Sequence, residues 1–91
     1  MMRFVFSGFL LRYVAYQRSL DYPDTTGMQD GLDRLFRDHP DLRPLVIDEE
    51  GHVRPTVRLC VDGEIVRGQD VFDCAVQNST TIEMLTAVAG G

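Results

Sequence analysis

The chain contains no lysine: all nine of its basic residues are arginine. It therefore offers no ε-amine for Schiff-base chemistry or for isopeptide bonds, an absence that arginine-rich codon usage explains as well as selection against self-acylation does. Nor is there a basic cluster. Nine arginines against fourteen acids leave a formal net charge of −5. Nucleic-acid affinity rests on Lys and Arg neutralising phosphates, so the balance argues against a nucleic-acid partner and favours basic proteins instead.

Cysteine is scarce as well. Cys60 and Cys74 are the only two, too few for a disulfide scaffold and at the wrong spacing for a redox motif. Set beside His39 and His52 they match no zinc pattern. Free, structural thiols in a cytoplasmic protein are the expectation. Long hydrophobic runs are also missing. The apolar stretch 4–11 is closed by Arg12 and lacks an Ala-x-Ala-like cleavage site, and it falls far short of the ~20 residues a membrane span needs. It reads as a strand.

Ninety-one residues make one domain that buries roughly 60–65% of the surface its unfolded chain exposes, which leaves little room for a large enclosed active site. With 44% apolar and 25% charged residues the chain is compositionally a globular protein, so disorder throughout is excluded. No internal repeat is visible.

Residues 2–9, rich in Phe and Val, predict a buried first strand with Phe4 and Phe6 on its inner face. Residues 17–22 predict an edge strand beside it, ending at Pro23. Met28, Leu32, Leu35 and Phe36 recur at helical spacing over 27–38. Thr26 with Gln29 has the form of a capping box, and His39-Pro40 supplies the stop. Asp30–Arg34 and Asp33–Arg37 are i,i+4 pairs on a solvated face, and Gly31 inside the helix carries a propensity cost. Residues 42–47, with Pro44 among them, read as a short extended segment before the turn Asp48-Glu49-Glu50-Gly51. Val57, Leu59 and Val61 alternate with Arg58 and Cys60 over a strand at 56–61. Asp62-Gly63 then signals a hairpin into 64–67. Residues 68–76 predict a short turn or single helical turn, and 80–86 a last strand.

Two strands, a helix, a tight hairpin and a last strand form an α+β, β-grasp (ubiquitin-like) layout: a mixed sheet of four to five strands on one main helix. Ile82 and Met84 then face the helix. Glu83 and Leu85 share the open side with Arg58 and Cys60, so that Arg58, Cys60 and Leu85 make a candidate partner-docking face. The expected division is a domain over 1–85 and a tail over 86–91.

That tail ends in Ala87, Val88, Ala89, Gly90 and Gly91. At a glycine usage of ~7%, a terminal glycine pair arises by chance in about one chain in 200. Two glycines place a carboxylate on a thin stem that enters narrow channels. An α-carboxylate, with a reference pKa of about 3.3–3.7, is a poor electrophile until activated. Fully extended, 86–91 spans at most ~20 Å.

These motifs resemble the MoaD/ThiS sulfur carriers, ubiquitin-like proteins that end in Gly-Gly. The resemblance is carried by Arg3-Phe4-Val5-Phe6, the entry at Thr25-Thr26 to a helix with Leu32 and Leu35, and Val61-Asp62-Gly63-Glu64. Its most specific element is the segment from Met84 to the terminal glycines. Ser79-Thr80 replaces the family's common Gly-Asp, and Thr86 stands where Pro is frequent. The resemblance implies a protein that is not itself an enzyme and binds no cofactor stably. A ubiquitin-activating-type enzyme would adenylate the Gly91 carboxylate with ATP, and a sulfur donor would convert it to a thiocarboxylate. Ala87, Val88, Ala89 and Gly90 would be read by the partners. Those partners are the activating enzyme, a sulfur-accepting synthase and, for a longer precursor, a processing metalloprotease. The pathway stays open among molybdopterin, cysteine, thiazole and sulfur-containing secondary metabolites. The alternative is a ubiquitin-like modifier joined through Gly91 to lysines of other proteins, and a third reading is a β-grasp binding module with an incidental Gly-Gly.

Overall fold

The computed structural model describes residues 1–76 and 79–86. The first strand, β1 (Met2–Phe6), alternates as its sequence requires, with Met2, Phe4 and Phe6 buried. It stops at Phe6 instead of Phe9, because Gly8 takes a left-handed φ of 59° and opens a 3-10 turn, Gly8–Tyr13. Glycine alone enters that region without strain. The chain returns as β2 (Ser19–Tyr22), antiparallel to β1 with Phe4 opposite Leu20.

The main helix, α1 (Met28–Asp38), buries Met28, Leu32, Leu35 and Phe36, the stripe its spacing predicts. Its cap differs from expectation. Gly27 is the capping residue and no side chain caps it; Asp30 instead reaches back to accept the Thr26 N–H at 3.0 Å. The reciprocal half of a capping box is thus present with its partner one turn position later than the Thr26–Gln29 reading placed it. Asp30 also pairs with Arg34 at 3.3 Å, whereas Asp33 accepts from Gln29 and Arg37 lies beside Asp38.

Gly31 faces the sheet. An ideal Cβ built there would overlap Sδ of Met2, so the glycine that costs the helix propensity is what lets α1 sit down on β1.

Residues 42–47 are not extended. A 3-10 turn, Pro40–Leu42, runs directly into a short helix, α2 (Arg43–Val46), and only Ile47 extends, bridging to Val53. Each proline sits in the first turn of its helical piece, where a missing N–H has no intrahelical partner to lose. Periodicity over so few residues does not separate a buried helical turn from a strand. Asp48 then closes the acidic turn by accepting the N–H groups of Glu50 and His52, both at 2.9 Å.

The hairpin of β3 (Val57–Val61) and β4 (Glu64–Val66) turns on Asp62 and Gly63, both left-handed at φ 49° and 90°, the geometry an Asp-Gly pair favours. Asp62 also accepts the Thr81 N–H at 2.9 Å and donates its own to the Thr81 carbonyl at 2.8 Å, clamping the turn to the last strand. After the 3-10 turn Gly68–Asp73 comes β5 (Thr80–Thr86).

The five strands order as β2-β1-β5-β3-β4, with β1 and β5 parallel in the centre and the outer pairings antiparallel. Inner residues of β1, β3 and β5 join α1 and the turns in one core. The sheet is the mixed, five-stranded version of the expected β-grasp.

Candidate docking face and tail exit

On β5, Thr80, Ile82 and Met84 are buried while Thr81, Glu83 and Leu85 point to the other face. On β3 the same alternation buries Val57 and Leu59 and turns Arg58 and Cys60 outward. The antiparallel register sets Arg58 directly opposite Leu85 and Cys60 opposite Glu83. Arg58, Cys60 and Leu85, named from sequence alone, are therefore neighbours on one surface.

Two further residues belong to it. Val5, half-buried on β1, lies opposite Glu83, and Ile65 on β4 lies opposite Cys60. Val5, Glu83, Cys60 and Ile65 form a row across four strands, about 15 Å long at the usual strand spacing. Ile65 is 63% exposed, the most exposed aliphatic side chain of the sheet among the described residues. The signal for Val5 was present in the sequence, since Phe4 and Phe6 inward require Val5 outward. Ile65 sits in a strand of three residues, too short for alternation to show.

The electrostatics of this face are mixed. Arg58 and Glu83 are exposed and lie diagonally across β3 and β5, and Arg3 makes a two-point pair with Asp21 at 2.7 and 3.1 Å on the neighbouring strands. That pair holds the Asp21 carboxyl below its ordinary range and the Arg3 guanidinium above it, chiefly through the hydrogen bond.

Both cysteines are free. Burial, with Asp70, Asp73 and Glu64 nearby, pushes the Cys74 thiol up, and its Sγ donates to the Asp70 carbonyl at 3.6 Å. A thiol held protonated is a poor nucleophile. No group of three or more metal-binding side chains exists among the described residues. His52 lies instead beside Glu50 and Asp48, at 3.6 and 4.0 Å. A cavity of about 110 Å³ lies on the helix side, floored by Leu32, Phe36, Ile47 and Phe72.

The strand β5 ends at Thr86, opposite Val57. Because β1 and β5 run parallel, with Phe6 beside Met84, this end of β5 lies where the Gly8–Tyr13 turn begins, and that turn packs against β5. Ala87, Val88, Ala89, Gly90 and Gly91, the residues named for tail recognition and covalent chemistry, lie outside the described residues.

A helix laid across a mixed sheet of order 2-1-5-3-4, with its last strand parallel to its first at the centre, defines a β-grasp, ubiquitin-like fold. No protein-family model and no curated protein sequence matches the chain. Solved structures do share its fold. A chain of the Amycolatopsis orientalis BexX/CysO complex aligns over 100% of both chains with a TM-score of 0.81 at 21% identity. Mycobacterium tuberculosis CysO aligns over 97% of this chain and 100% of its own, with a TM-score of 0.80 at 17% identity. SAMP1 from Haloferax volcanii, a small archaeal modifier protein, aligns over 99% and 98% with a TM-score of 0.77 at 21% identity. Likeness at this identity is a likeness of fold. It covers 97–100% of this chain and 98–100% of those three chains.

Proposed function

We propose that the chain is a ubiquitin-like sulfur carrier whose Gly91 carboxylate is activated and converted to a thiocarboxylate that donates sulfur in a biosynthetic pathway. The observation that carries this reading is the combination of a β-grasp fold, shared end to end with CysO and SAMP1 structures, with a sequence that leads from its last strand into Ala87, Val88, Ala89, Gly90 and Gly91. In the first step the carboxylate oxygen attacks the α-phosphate of ATP bound to an activating enzyme, giving an acyl-adenylate and pyrophosphate. Sulfide then attacks the glycyl carbonyl and expels AMP. The product is an anionic sulfur nucleophile tethered to a protein; it attacks the substrate of a sulfur-accepting synthase, and water then cleaves the acyl–sulfur bond, leaving sulfur on the acceptor and regenerating the carboxylate. The open face at Arg58, Cys60, Leu85, Val5 and Ile65 is the handle by which these enzymes hold the domain, as BexX and CysO form a complex in their own structure.

The chain supplies no catalytic group in this scheme; ATP is bound by the partner. Where a longer precursor is made, a metalloprotease would free the Gly91 carboxylate. The lack of lysine suits an acyl donor, because an activated terminus meets no ε-amine on another copy. Among the described residues no helix is long and apolar enough to cross a membrane, and the reading places the protein in the cytoplasm.

Intact-mass measurement after incubation with ATP, sulfide and a cognate activating enzyme tests the proposal. A gain equal to the replacement of one oxygen by sulfur, absent without ATP, is expected. An unchanged mass under conditions that thiolate a known carrier overturns it. SAMP1 structures among the neighbours give specific weight to a second reading, conjugation of Gly91 to lysines of other proteins. Recovery of tagged protein under denaturing conditions separates the two: a ladder of adducts marks a modifier, and its absence a carrier.

A further inference from the structure

Charge is distributed unevenly along this acidic chain. Residues 1–20 contain Arg3, Arg12 and Arg18 and no acid, so they carry +3, and the remaining six arginines and fourteen acids carry −8. Arg3 is already paired with Asp21. Arg12 makes no ion pair among the described residues. It lies with its guanidinium carbon 5.2 Å from the centre of the Phe9 ring, and Phe9 in turn packs on Tyr13 with ring centres 5.5 Å apart.

This stack stands on the Gly8–Tyr13 turn, whose Leu10 is fully buried, as is Val14 just after it. Its outer parts are open. Phe9 is 42% exposed and Tyr16 71% exposed. Ala15 and Tyr16 both hold left-handed backbone angles, φ 53° and 59°, a conformation costly for residues with a Cβ and one that concentrates at functional positions. Hydrogen bonds from the Tyr16 N–H to the Leu11 carbonyl and from Gln17 to Val14 keep the turn in that form. The chain therefore holds Tyr16 out into solvent, with its backbone bonded to the turn that carries the aromatic–arginine stack. The neighbouring Pro40–Leu42 turn contributes one acid, Asp41.

Tyr and Arg are among the residue types that dominate binding energy at protein interfaces, and Phe is enriched there with them. A guanidinium stacked on a ring keeps its edge donors free for a carboxylate. We propose that the corner formed by Phe9, Arg12, Tyr13 and Tyr16 is a docking surface for a carboxylate-bearing, aromatic-containing segment of a partner protein. It lies at the end of the sheet where β5 finishes, so such a segment would grip the domain at the root of the tail. The docking is separate from the open-face handle and from the chemistry at Gly91, and it stands whether or not the terminus is thiolated.

The test is an NMR titration of the ¹⁵N-labelled full chain with synthetic peptides that share the same aromatic residues but carry glutamates, lysines or neutral residues between them. Saturable shifts at Phe9, Arg12, Tyr13 and Tyr16 with the glutamate peptide alone are expected. Affinity should fall at least fivefold as salt is raised from low to physiological strength. Arg12→Ala should weaken binding about tenfold and Arg12→Lys by less, with well-dispersed spectra confirming that both variants are folded. Shifts spread over all arginines, equal binding of the neutral peptide, or no shift at the corner overturn the proposal. So does saturation of the same residues by a single-stranded oligonucleotide. Concentration-dependent shifts of the corner without peptide would assign the surface to a second copy of the chain, against the proposal.

Discussion

Tyr22 shows how one side chain fastens an edge strand to the helix. Its ring packs edge-on against Phe4 with centres 5.9 Å apart, and its hydroxyl donates to Asp38 at the far end of α1 at 3.0 Å. Burial, the bond to Asp38 and that residue's charge push the phenol up to about 12, from about 10 in an unstructured chain. A folded-state value above the unfolded one means that the protonated form is favoured by folding. The contribution is complete below pH ~10 and is lost as pH rises toward 12. Stability measured by urea titration should accordingly fall across that window. Tyr22→Phe should be less stable at neutral pH and flatter between pH 10 and 12, and an equally steep fall in the variant would remove Tyr22 from the account. Asp30 acts in the opposite sense. The Thr26 N–H holds its carboxyl below the usual range, so its contribution is present at neutrality and is lost as pH falls through that lowered value.

At the level of elements, α1 approaches β1 through Gly31 and Met2. Glycine in a helix interior costs about 1 kcal/mol relative to alanine. A methyl group at this position, however, must displace the Met2 thioether within a packed core, at about 1–3 kcal/mol. Gly31→Ala is therefore expected to destabilise by about 1 kcal/mol in the native background. With Met2→Val, which lacks the Sδ and Cε that the new Cβ would meet, the same change should stabilise by about 0.5–1 kcal/mol. Additive effects in this cycle, read from urea midpoints, would show that the contact does not govern the site. Elements also differ in how openly their sequences declare them. The helix, the Asp62-Gly63 hairpin and the last strand follow from period and turn chemistry. The run through Pro40 and Pro44 does not, because a proline that breaks a helix from inside is harmless in its first turn, and only neighbouring structure decides which of the two it is.

For the whole molecule, the sheet has two faces of different character. One is consumed by the core. The other gathers Val5, Cys60, Leu85 and Ile65 with Arg58 and Glu83, the surface proposed above as the docking face. Ile65→Asp, at an exposed edge position, is expected to leave the melting temperature unchanged. It should lower kcat/KM for ATP-dependent activation of the tail about tenfold, or about 1.4 kcal/mol. Unaltered kinetics would remove Ile65 from the docking face.

What the sequence determined by itself is whatever local rules express: period-two burial in β1 and β5, the apolar stripe of α1, and the left-handed turn at Asp62-Gly63. The outward direction of Arg58, Cys60 and Leu85 was legible too from alternation along two strands, and the expected β-grasp layout put those strands on one open face. Tertiary structure decided the rest. That Gly31 is required by Met2, that Ile65 and Val5 extend the open face, and that the Phe9–Arg12 turn stands at the end of β5 all depend on how strands pair and how elements pack in space. Strand register and the approach of helix to sheet set those distances, and the pattern of any single segment carries no record of them.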